Sequence, residues 1–227
     1  MLDWLKQRVK RSITGRMAAW MNEQLLMSGL DVAIDTVTGN QIAGDYLEFG
    51  VARGESFARA YHHFRAARKA FGVSTPIRYF AFDAFRGLPA TEDPSAPTQY
   101  LKGAYAHSRE EFERFLRNAR VDLSQVVVVD KWYSDLGQAD KDRHHLTSAA
   151  LVYLDCNLYE SARDALVFVE SLLVDGSLIV IDDFFRHGCS EKRGIRRAWL
   201  EFLARNPHVR STMIHCFHKV VFAINCD

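Results

Sequence analysis

Three aspartates close two short apolar runs: Asp155 follows Tyr153-Leu154, and Asp182 with Asp183 follows Val180-Ile181. An apolar run that stops at an acidic residue reads as a buried strand reaching its carboxyl end. Carboxylates delivered side by side by neighbouring strands repel one another unless a cation lies between them. A hard divalent ion such as Mg2+ is the partner this set predicts, with Asp155, Asp182 and Asp183 as ligands. A single Asp in such a place also caps helices, which fits Asp155 ahead of 161–173 or one of the pair at 182 and 183. Capping does not account for all three together.

Two more acidic ends precede these. The run 46–49 leads into Glu48-Phe49-Gly50-Val51-Ala52-Arg53-Gly54-Glu55-Ser56, a glycine-bearing turn between a strand and a helix. The unpaired backbone N–H groups of such a turn suit a ligand carboxylate or phosphate. The spacing is not the Gly-x-Gly-x-x-Gly dinucleotide fingerprint, which argues against a nicotinamide-dependent oxidoreductase, and plain turn glycines remain the alternative. The run 78–82 ends in Asp83-Ala84-Phe85, where a carboxylate grips a ribose diol or caps a turn. After 126–129 come Trp132, Tyr133 and Asp135, an aromatic face and a carboxylate suited to adenine, or else core residues.

Elements must hold these ends together. The runs 46–49, 78–82, 126–129, 151–154 and 178–181 are strands, separated by amphipathic stretches 56–70, 109–116 and 161–173 long enough for right-handed crossovers. That is an α/β parallel sheet. The runs 213–217 and 219–224, after a helix at 195–204, form a closing antiparallel pair at the sheet edge. Residues 1–29 space Leu2, Leu5, Val9, Ile13, Met17, Trp20, Met21 and Leu25 as an amphipathic helix that docks on its own core or on a second subunit. The loop 88–98 is polar and Pro-rich, a candidate lid.

Composition narrows the partners. A chain of 227 residues that is 48% hydrophobic is sized for one domain. Its 29 Lys+Arg against 28 Asp+Glu leave no field that favours nucleic acid or an anionic membrane, so a small molecule is the expected partner. No run approaches a membrane span, and Cys156, Cys189, Cys216 and Cys226 lack zinc or disulfide spacing, so reduced thiols and a cytoplasmic location are expected. The histidines show no HExxH spacing; His187, just past the Asp pair, is the one placed to matter.

Four ordered stretches, Tyr46-Leu-Glu-Phe-Gly-Val-x-Arg-Gly-x-Ser56, Phe82-Asp-x-Phe-x-Gly-Leu-Pro89, Leu154-Asp-Cys-x-Leu-Tyr-Glu160 and Ile179-Val-Ile-Asp-Asp183, resemble the macrocin O-methyltransferase family. That family comprises metal-dependent sugar methyltransferases of natural-product pathways, and the catechol O-methyltransferases are more distant. Residues 102–116, with Gly103, Tyr105 and Ser108, and 194–198 match more loosely.

The resemblance implies a Rossmann-like class I methyltransferase fold. It has a mostly parallel seven-stranded sheet, an antiparallel C-terminal strand pair and helices on both faces. Residues 45–227 would form the S-adenosylmethionine-binding domain and 1–44 an N-terminal helical extension, a cap or a dimer contact. Glu48, Gly50, Gly54 and Ser56 would surround the methionine part of the donor and Asp83 the ribose, with Phe49, Phe85, Trp132 and Asp135 also expected among the cofactor-binding residues. Asp155 would touch the cofactor, ligate Mg2+ with Asp182 and Asp183, and act as general base toward a sugar or other vicinal diol chelated by the ion. The family usually has a second Asp where Asn157 stands, a Gly near Lys131 and a longer, more acidic lid. Asn157 and the short lid are what favour the rival reading, a non-catalytic protein that keeps the fold.

Overall fold

The computed structural model of the protein describes residues 29–93, 97–217 and 219–226. Its strands are β1 (Asp45–Phe49), β2 (Tyr79–Asp83), β3 (Val126–Asp130), β4 (Ala149–Leu154), β5 (Leu173–Ile181), β6 (Val209–Phe217) and β7 (Lys219–Cys226). They form a seven-stranded sheet in the order β3-β2-β1-β4-β5-β7-β6. Parallel ladders join the first five, and β7 runs antiparallel to both β5 and β6. The expected closing pair is present, with the later strand on the inside. The burial of Val220, Val221, Phe222 and Ile224 explains this, because such a run needs cover on both sides, whereas most of β6 is exposed and suits an edge.

The helices are α1 over 29–39, α2 (Glu55–Phe71), α3 (Arg109–Asn118), α4 (Gln138–His144), α5 (Tyr159–Val169) and α6 (Gly194–Arg205). Strand alternation splits the interior into two cores. Tyr46, Tyr153, Leu178 and Val180 face α1, α2 and α3 through Leu30, Ile34, Phe57, Phe64 and Phe112. Leu47, Phe49, Leu154 and Ile181 face α5 and α6 through Leu166, Phe168, Trp199 and Phe202. Residues 29–39 therefore share the core of the sheet, while the amphipathic reading of residues 1–28 lies outside the described residues.

Two elements differ from expectation. The helix read at 161–173 starts at Tyr159 and ends at Val169, a 3-10 turn fills Glu170–Leu172, and Leu173 already pairs with Ala149. The apolar periodicity of Leu172-Leu173 continues the helix, but pairing with β4 claims Leu173 first. Helix α4 has no apolar stripe to reveal it; the Asp140 carboxylate accepts from the Gly137 N–H at 3.1 Å and caps its first turn.

Register assembles the site. Phe49 lies opposite both Phe82 and Leu154, and Leu154 opposite Ile181. The ladder extends one residue further, with Gly50 N donating to Phe82 O at 3.0 Å, Asp155 N to Phe49 O at 2.9 Å and Asp182 N to Leu154 O at 2.9 Å. Asp83, Gly50, Asp155 and Asp182 thus form a row along the carboxyl edge. The strand order reverses between β1 and β4, the place where open α/β sheets bind ligands.

Candidate active site

Above this edge lies a cleft of about 720 Å3. Gly50, Asp83 and Asp155 form its floor, Trp132 and Tyr133 one wall, and Tyr100, Asp183 and Arg186 the other. Leu88, Pro89 and Ala90 of the expected lid also line it; residues 94–96 of that loop lie outside the described residues. Gly50 has φ 89°, and a Cβ there would sit 2.1 Å from the Asp155 carbonyl oxygen, so only glycine lets β1 and β4 approach this closely.

Asp83 corrects one expectation. Its carboxylate accepts from Val51 N at 3.1 Å and Ala52 N at 3.2 Å through Oδ2, and from Phe85 N at 2.8 Å through Oδ1. The anion at the glycine turn is this side chain, so those N–H groups are not free for an anionic group of a ligand. Burial pushes the Asp83 carboxyl up, against the three backbone bonds that pull it down. The carboxylate still faces the cleft.

Several residues expected around the donor stand behind the wall instead. Glu48 shares the parity of Tyr46 and so points toward α2, where it accepts from Ser56 Oγ and Tyr46 OH, each at 2.5 Å, with no exposure. Burial raises its carboxyl to about 7 despite both bonds. Phe49 has the opposite parity and stacks on Phe82 at 4.5 Å. Gly54 starts α2 at φ 104°, where a Cβ would meet Phe112 at 3.0 Å, and Phe85 packs on Phe112 at 5.7 Å. Asp135 is exposed and accepts from Ser134 Oγ at 3.3 Å. Glu48, Phe49, Gly54, Ser56, Phe85 and Asp135 are all absent from the cleft lining. Trp132 does, and Tyr133 serves both readings, lining the cleft while its ring packs edge-on against Phe49 and its hydroxyl donates to Phe82 O at 3.2 Å.

The metal ligand set expected from Asp155, Asp182 and Asp183 is not assembled. Asp182 turns away from the cleft, its Oδ2 held by the Lys219 ammonium and by Tyr153 OH at 3.0 Å, its Oδ1 by Asp183 N at 2.9 Å. Asp183 accepts from Arg186 Nε at 2.8 Å and Tyr100 OH at 3.0 Å. Among the described residues no group of three or more His, Cys, Asp or Glu side chains is placed to hold an ion. The donor oxygens a divalent ion would need are already spent on protein cations and hydroxyls, so the residues present do not fit Mg2+. Asp155 differs, lining the cleft with burial, then Asp182, pushing its carboxyl well up while Lys219 pulls it down.

A family model described as Macrocin-O-methyltransferase (TylF) matches residues 5–222. The chain belongs to this family. It is 29% identical over 176 residues to the 8-demethyl-8-(2,3-dimethoxy-alpha-L-rhamnosyl)-tetracenomycin-C 4'-O-methyltransferase of Streptomyces olivaceus, covering 73% of this chain and 62% of that one. It is 29% identical over 158 residues to the demethyldecarbamoylnovobiocin O-methyltransferase of Streptomyces niveus, covering 66% and 56%. The match thus spans less than two thirds of either curated relative. In three dimensions the O-methyltransferase NovP superposes with TM-score 0.70 at 22% identity over 88% of this chain and 79% of its own. The calicheamicin methyltransferase CalS11 gives 0.68 at 21% over 87% and 77%. The fold is the class I methyltransferase fold, as the resemblance implied.

Within this macrocin O-methyltransferase family member, the departures have structural places. Asn157 lines the cleft with φ 59°, a left-handed position that Asn tolerates. Lys131 donates to the Asp140 carboxylate at 2.6 Å, outside the cleft. His187 packs on Gly194, turned from the cleft, with its Nε2 buried and without a partner. Tyr100, Arg186 and Lys219 escaped the sequence reading. Only Lys219 carried a local signal, a charge at the head of an otherwise apolar strand.

Proposed function

We propose that the chain transfers a methyl group from S-adenosylmethionine to a hydroxyl oxygen of a sugar carried by a natural product. The observation that carries this reading is the placement of Asp83 and Asp155 on either side of Gly50, in one cleft at the switch point of the sheet. Family membership supports the donor, and the names of the two Streptomyces relatives support the acceptor class. The Mg2+ requirement expected from the sequence is left out, because Asp182 and Asp183 are engaged by Lys219 and Arg186.

The residues present fit the donor. Gly50 lines the cleft between the two carboxylates, Asp83 offers a carboxylate for ribose hydroxyls, and Trp132 offers a face for adenine. The donor supplies a methyl group on a positively charged sulfur. With the donor bound, the Asp155 carboxylate would take the proton of the acceptor hydroxyl as its oxygen is methylated. A carboxyl raised by burial and like charge is a stronger base once ionised. Leu88, Pro89 and Tyr105 narrow the cleft and keep water from the acceptor.

Calorimetric titration with S-adenosylhomocysteine tests the donor, with micromolar affinity expected. Asp155→Asn should then keep that affinity within a few-fold and lower methyl transfer to a glycosylated acceptor by roughly 10²–10⁴. No binding of S-adenosylhomocysteine would overturn the reading in favour of a non-catalytic protein.

A further inference from the structure

Behind the acidic edge stands Lys219, a cation that the proton and methyl transfer described above do not touch. Antiparallel pairing puts Ile181 opposite Val220, so the next pair outward is Asp182 with Lys219, side chains on one face. The Lys219 residue is 6% exposed. Its ammonium contacts the Asp182 carboxylate, donates to Tyr153 OH at 2.5 Å and lies 4.9 Å from the Tyr153 ring centroid. Its charge also lowers the Asp155 and Glu48 carboxyls against their burial, so its field reaches both of these neighbours of Asp182.

An ammonium is buried at great cost unless anions and acceptors surround it, and buried carboxylates need a cation in the same way. Here each satisfies the other. Asp182 has all its described donors from Lys219, Tyr153 and the Asp183 N–H, and Asp183 takes Arg186 and Tyr100. Two protein cations therefore stand against three carboxylates, and a divalent ion would have to displace Lys219 from Asp182 and then sit beside its charge.

We infer that Lys219 is a built-in cation that replaces a divalent metal at the acidic edge, so that this chain neither binds nor needs Mg2+ there. The inference rests on the cleft being the methyl-transfer site only where it speaks of need; its binding half stands on geometry alone. In functional terms, Lys219 is a positioning residue. It holds Asp182 away from the cleft and leaves Asp155 as the carboxylate that meets the acceptor.

The test is a titration of metal-stripped wild-type protein and of Lys219→Met with Mn2+, read by the electron paramagnetic resonance of the free ion. S-adenosylhomocysteine calorimetry on the same samples reports the donor site separately. Wild type should show no Mn2+ site below millimolar concentration, and its methyl transfer should be unchanged by EDTA. Lys219→Met should gain a site at least tenfold tighter, abolished by adding Asp183→Asn. Micromolar Mn2+ binding by wild type that Asp183→Asn removes would overturn the inference, as would a folded Lys219→Met that binds no Mn2+. If Lys219→Met does not fold, the wild-type titration decides alone. Loss of S-adenosylhomocysteine binding with these Mn2+ results intact would count against the methyltransferase reading and leave the built-in cation standing.

Discussion

Glu48 carries a fully buried carboxyl whose partners, Ser56 and Tyr46, stabilise its charge less than burial penalises it, which places it at about 7 against an ordinary 4.5. Because the folded value is the higher one, the folded protein keeps a proton that the unfolded chain has released. The stability associated with that proton is fully present below pH 4.5 and lost as pH rises through 7. Glu48→Gln removes this dependence while keeping a hydrogen-bonding side chain. Chemical denaturation at pH 5 and pH 8 should show the variant gaining on wild type by up to about 3 kcal/mol across that interval. Glu48 was legible as an important residue of the first motif, but its role was not. Parity along β1 sends it with Tyr46 toward α2, and only the side on which α2 packs decides that this is away from the cleft.

The elements that matter are the turns at the carboxyl edge. Gly50 joins β1 to α2 at a left-handed φ, with the Asp155 carbonyl where a side chain would begin. Gly50→Ala should cost more than about 2 kcal/mol, since it adds backbone strain to a clash with backbone that cannot rotate away. The loss should appear in both the denaturation midpoint and S-adenosylhomocysteine affinity. Strand positions were readable as short apolar runs, and β2, β3, β4 and β5 also stop at an aspartate, whereas the end of α5 was not readable. Leu172 and Leu173 suit either a helix or a strand by pattern, and long-range pairing with Ala149 made the choice.

Across the whole molecule, one sheet separates two cores, and the cleft lies at its edge rather than within either. Distant packing should therefore affect stability before binding. Trp199 on α6 stacks on Phe222 of β7 at 4.6 Å and on Phe202 at 5.6 Å, joining the last helix to the inner antiparallel strand. Trp199→Ala should cost about 3–5 kcal/mol by denaturation. Well below its lowered midpoint it should bind S-adenosylhomocysteine within a few-fold of wild type, because none of the three stacked rings lines the cleft. Among the described residues no helix is long and apolar enough to cross a membrane.

The amino-acid sequence by itself determined the strands, their order of acidic ends and the glycine that must stand beneath the cleft. Those features follow from local periodicity and from side chains too large or too polar to go elsewhere. Tertiary structure alone decided the long-range partners that the carboxylates take. Asp83 turns onto the N–H groups of Val51 and Ala52, 32 and 31 positions away, and Asp182 onto Lys219 at a separation of 37. Such choices depend on which strands become neighbours and in what register. A buried charge settles on the nearest opposite charge in space, and distance along the chain does not measure that.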